Sequence, residues 1–80
     1  MAKVLIADDE EDVSEMIGAS LSRSGYEVFY ALNGEAAIEA AKLKKPDIIL
    51  LDLCFPKPGM DGVEILTAIR KFDKEVKVIL

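Results

Sequence analysis

Apolar residues in this chain fall into four short dense runs, and between the runs they recur every three or four positions. The runs are Lys3–Ala7, Glu27–Ala31, Asp47–Asp52 and Val76–Leu80. Ile48, Ile49, Leu50 and Leu51 show no polar alternation, which predicts a strand buried on both faces, as in a parallel sheet. Between the first two runs, Val13, Met16, Ile17 and Leu21 share helical spacing and predict an amphipathic helix with that side buried. Gly25 stands where such a helix would stop. Asn33 is the expected N-cap of a second helix, marked by Ala36, Ala37, Ala40, Ala41 and Leu43, whose small side chains allow close approach to a sheet. Pro46 ends that segment and launches the third strand. Leu53–Met60, with two prolines and a glycine, predicts a loop. Asp61 and Glu64 have capping-box spacing, and Ile65, Leu66, Ile69 and Phe72 then mark the buried side of a third helix. Met16, Met60 and the aromatic residues are expected to pack in the core or against loops.

The resulting order, βαβαβαβ, predicts one α/β domain around a parallel sheet. Crossovers in such sheets are right-handed. If the first two strands step one way and the third and fourth the other, the strand order is 2-1-3-4. The first helix then covers one face, and the second and third cover the other.

That arrangement makes the first and third strands neighbours at a topological switch point, where open α/β sheets place ligands. Asp8 and Asp9 follow the first strand and Asp52 ends the third, so three carboxylates are expected to converge. Each would raise the proton affinity of the others. A hard divalent cation relieves the repulsion, and Mg2+ binds through one or two carboxylates with water and phosphate oxygens. Asp52 could then act as a nucleophile toward a phosphoryl group. Glu10, Glu11 and Asp12 read instead as partners of a helix dipole. Asp47 reads as a solvated residue at the opposite sheet edge, and Asp61 as a cap.

Composition narrows the choices. Eighty residues suffice for one small domain, and 51% are hydrophobic. A net charge of −5 leaves no basic stripe for phosphate backbones, which argues against direct nucleic-acid binding. No histidine and a single cysteine, Cys54, exclude a structural zinc site and an intrachain disulfide. No run has the length of a membrane span or the form of a signal peptide, so a cytoplasmic location is expected.

Three motifs stand in order: Lys3–Glu10, with its strand followed by Asp8-Asp9; Pro46–Asp52; and Met60-Asp61-Gly62. Together they resemble the receiver domain of two-component response regulators, across the whole chain. The resemblance implies a flavodoxin-like, doubly wound sheet, partial here: the fourth helix, fifth strand and fifth helix lie beyond what 80 residues hold. It implies Asp52 as phosphoacceptor, Asp9 as direct Mg2+ ligand, Asp8 as the acid holding the metal's water shell, and the Cys54 backbone carbonyl as a further metal ligand. The implied partner is a sensor histidine kinase, and the implied activity is phosphoacceptance rather than enzymatic turnover. Phe55–Gly62 is longer than the family's common form. The family's Thr or Ser after the fourth strand and its Lys after the fifth have no counterpart, so the chain looks like the first two-thirds of a receiver. A homodimer through the fourth strand and the uncovered sheet face is therefore expected. The alternative reading is an engineered or truncated structural module that self-associates without phosphotransfer. A phosphatase using an Asp nucleophile fits less well, because those enzymes resemble Asp-x-Asp on the first strand.

Overall fold

The computed structural model describes residues 2–52, 59 and 61–80. Four strands alternate with three helices: β1 (Lys3–Ala7), α1 (Glu11–Arg23), β2 (Glu27–Ala31), α2 (Gly34–Lys44), β3 (Ile48–Leu51), α3 (Gly62–Phe72) and β4 (Lys77–Ile79). All strand pairs are parallel, and the order is β2-β1-β3-β4. Both the alternation and the order agree with the sequence reading. The loop expected over Leu53–Met60 lies outside the described residues apart from Gly59, as do Cys54 and Met60.

Local chemistry sets the helix ends. α1 stops in a Schellman arrangement: Tyr26 N–H donates to the Leu21 carbonyl and Gly25 N–H to that of Ser22, both at 3.1 Å. Gly25 adopts φ +96°, a conformation that side chains disfavour. Asn33 Oδ1 accepts from the Ala36 N–H at 2.8 Å and starts α2. The capping box of α3 is complete: Glu64 N–H donates to Asp61 Oδ1 at 2.8 Å, and Asp61 N–H to Glu64 Oε1 at 3.1 Å. Asp73 ends that helix, and its Oδ1 accepts from the Glu75 and Val76 N–H groups, each at 3.0 Å, turning the chain into β4.

The core lies on one side of the sheet. Leu5, Ala7, Ala31, Ile49 and Leu51 meet Ala37 and Ala41 of α2 and Ile65 and Ile69 of α3. The alanines let α2 sit low on β1 and β2. Ile65 and Ile69, one turn apart, are both fully buried. Truncating either to alanine would cost about 2–5 kcal/mol.

The other face carries α1, as the sequence reading placed it, and differs in which residues make the contact. α1 packs on β2 and β1, so Val4 and Ile6 are buried there as well. β3 is not covered equally on both sides: Ile49 and Leu51 are buried, whereas Ile48 and Leu50 are only half-buried. The buried residues of α1 are Ser14 and Gly18. A methyl group on Gly18 would overlap the Tyr30 hydroxyl, so bulky side chains cannot occupy that contact line. Met16 is displaced to the outside, 70% exposed, and Ile17 faces the rim, contrary to the predicted apolar side. Val13 and Leu21, flanking the contact, are half-buried as that side required. Phe72 and Tyr30 are also partly exposed rather than core residues, at 40% and 47%. Phe72 is partly accounted for by Lys42, whose Nζ lies 5.4 Å from its ring centre.

Candidate functional site

The sheet register builds the site. Ala7 pairs with Leu51 between β1 and β3. The residues immediately after that pair are Asp8 and Asp52. Each is held by a continuation of the parallel ladder: Asp52 N–H donates to the Ala7 carbonyl at 2.9 Å, and Asp8 N–H to that of Ala31 at 3.1 Å. Their carboxyl groups therefore leave adjacent strands at the same level. The chain bends at Asp9 and carries a third carboxyl to the same place.

One oxygen from each of Asp8, Asp9 and Asp52 lies within 4.8 Å of the others. The structure thus brings together the three acids singled out in the sequence. Asp8 also accepts the Glu10 N–H at 2.9 Å through Oδ1, which tethers its carboxyl to the start of α1. The Asp8 carboxyl is held above the ordinary carboxylate range. Burial is the main cause; the Glu10 N–H pulls the other way, and the charge of Asp52, a side-chain hydrogen bond with Asp52 and the charge of Asp9 add to the rise. Three carboxyl groups this close repel one another when all are charged. An all-oxygen donor set at this spacing fits a hard dication and offers no soft ligand.

An open trough of about 450 Å³ begins at Asp8, Glu10 and Asp52 and runs along Ile6, Ile17 and Leu50 to Ile79 and Leu80. The acids therefore stand at one end of the half-covered sheet face. Glu10 joins the rim although its sequence position suggested only a dipole role; nothing in the pattern of five consecutive acids distinguishes it. Cys54, expected to lend a carbonyl, lies outside the described residues. Asp47 sits at the far edge of the sheet, and Asp61 caps α3; neither joins the cluster.

A doubly wound parallel sheet in the order β2-β1-β3-β4, with acids at its switch point, defines the class as flavodoxin-like α/β. The chain belongs to the response regulator receiver domain family, which it matches over residues 4–80. It is 36% identical over 78 residues to sporulation initiation phosphotransferase F of Bacillus subtilis, covering 98% of this chain and 61% of that protein. It is 42% identical over 69 residues to the alkaline phosphatase synthesis transcriptional regulatory protein PhoP of Bacillus subtilis, covering 86% of this chain and 28% of that protein. Among solved structures, chemotaxis protein CheY4 of Vibrio cholerae superposes with a TM-score of 0.90 at 34% identity, covering 98% of this chain and 65% of that one. The chain thus spans less than two-thirds of each of these relatives. Among the described residues, no helix is long and apolar enough to cross a membrane.

Proposed function

We propose that this receiver domain accepts a phosphoryl group on Asp52 in a two-component relay, from a phosphohistidine of a sensor histidine kinase or from a small phosphodonor. The observation that carries this reading is the convergence of Asp8, Asp9 and Asp52 within 4.8 Å beside β1 and β3. Asp9 and Asp52 would hold Mg2+ directly, and Asp8 would orient its water shell. A bound Mg2+ ion supplies compensation for the negative charge of the incoming phosphoryl oxygens.

The step itself belongs to Asp52. Its carboxylate oxygen attacks phosphorus, a P–O bond forms, and the P–N bond of the phosphohistidine breaks. The imidazole leaves with the electron pair of the broken bond, neutral because its other nitrogen carries a proton. Asp52 becomes an acyl phosphate. The ladder bond from its N–H to the Ala7 carbonyl fixes the backbone from which it attacks. Incubation with acetyl phosphate and Mg2+ should add one phosphoryl mass to the wild type and none to Asp52→Asn. A wild type that stays unmodified overturns the reading and leaves a folded module without phosphotransfer.

Self-association is part of the same proposal. Among the described residues, β4 pairs only with β3. Ile79 is 56% exposed and Leu80 63%, beside the half-buried Leu50. A second copy that covers this face and edge would remove both from water. Sedimentation at micromolar concentration should show a dimer; a monomer throughout that range contradicts it.

A further inference from the structure

We infer that the cleft between the first half of α1 and the end of β2 receives one arginine side chain of a protein partner. The cleft measures about 150 Å³ and is lined by Glu11, Ser14, Glu15, Tyr30 and Leu32. Ligand pockets usually run to about 300–1,000 Å³, so this one has room for a side chain rather than a cofactor.

Ser14 is the first observation. It is 1% exposed, and its Oγ has no hydrogen-bond partner among the described residues. A buried hydroxyl without a partner is a standing cost that alanine would not carry at this helical position. Packing against the sheet explains the small size of the residue but not its hydroxyl. An incoming donor explains both.

Charge is the second. Glu11 and Glu15 lie one helical turn apart on the cleft wall, and among the described residues no cation lines it. The positive end of the α1 dipole opposes a cation, but two full carboxylates outweigh half an elementary charge. Shape is the third. Tyr30 is 47% exposed and leans over Gly18, and Leu32 is also exposed, so an aromatic ring and an aliphatic wall flank the acids. A guanidinium offers five donors in a planar fork, stacks on aromatic rings, and rests its stem on apolar surface. Three acceptors spread over Glu11, Ser14 and Glu15 suit that fork better than the point charge of an ammonium.

None of these residues belongs to the acid cluster, so the inference stands apart from phosphotransfer. The probe is N-acetyl-arginine amide, titrated into the nitrogen-15-labelled domain with Mg2+ present. Saturable amide shifts are expected at Glu11–Gly18 and Tyr30–Leu32, and unchanged in Asp52→Asn. Ser14→Ala should weaken binding about tenfold, the loss of one hydrogen bond to a charged group, while keeping a folded amide spectrum. The combined Glu11→Gln, Glu15→Gln variant should abolish it. Equal responses to N-acetyl-lysine amide or to sodium chloride, no saturation, or full affinity in Ser14→Ala would each overturn the inference.

Discussion

Asp47 and Lys3 grip each other twice across β1 and β3. Lys3 N–H donates to Asp47 Oδ2 at 2.8 Å, and Asp47 N–H returns a bond to the Lys3 carbonyl at 2.9 Å. The Asp47 carbonyl also accepts from Lys77 N–H at 3.4 Å, which extends the clamp to β4. Three strands are thereby registered at the edge opposite the acid cluster. Asp47→Ala should lower stability by about 1 kcal/mol, the worth of a hydrogen bond to a charged group at an exposed position. The urea midpoint should fall with unchanged slope, and Mg2+ affinity should stay as in wild type.

The raised proton affinity of Asp8 gives a pH dependence of known sign. A carboxyl that binds its proton more tightly folded than unfolded contributes stability that is complete below its unfolded value. That contribution is lost as pH rises through the higher folded value. The metal-free domain should therefore be penalised at neutral pH by this group. Asp8→Asn should be more stable than wild type near pH 7 without metal, and the advantage should shrink toward about pH 4. Added Mg2+ should stabilise wild type and help Asp8→Asn much less. Urea midpoints at the two pH values, with and without Mg2+, check all three statements.

Gly18→Ala tests the close approach of α1 to β2. Alanine favours the helix by about 1 kcal/mol, but its methyl group would overlap the Tyr30 hydroxyl. That hydroxyl is the far end of a half-exposed side chain and can swing away. Net stability should change by less than about 1 kcal/mol, while tyrosine fluorescence and near-ultraviolet dichroism report a displaced ring. An unchanged ring signal would show that the helix moves instead.

Lys45 caps α2 in the left-handed region, at φ 50° and ψ 60°. A side chain there costs roughly 1–2 kcal/mol, against about 0.5–1 kcal/mol of chain entropy for glycine. Lys45→Gly should therefore stabilise the domain by about 0.5–1 kcal/mol, read as a rise in Tm.

Ile79 tests self-association. Ile79→Lys puts a charge on the edge strand β4, a device that blocks edge pairing. Sedimentation should shift toward monomer, and the phosphoryl adduct on Asp52 should still form.

Much of this was legible because strands with one dominant chemistry leave little choice. Lys3–Ala7 and Glu27–Ala31 emerge with the bounds the apolar runs suggest. The acid cluster followed from two facts, acids after β1 and at the end of β3, joined by the switch-point rule. α1 was harder. Periodicity weighs bulky residues, so Met16 and Ile17 dominated the pattern, while Ser14 and Gly18 make the contact because closeness there excludes bulk. Asp47 escaped for a related reason: its work is done with backbone groups of another strand, and no spacing along the chain announces that.

The ladder that sets Ala7 opposite Leu51 would also tie ion capture to chain collapse. An unfolded chain holds Asp8 and Asp52 far apart and has nothing to chelate with. A cation bound only by the folded site would add to stability, each tenfold excess of free cation over its dissociation constant contributing about 1.4 kcal/mol to the native state. A thermal melt run across a magnesium series would measure that affinity without any phosphodonor in the tube.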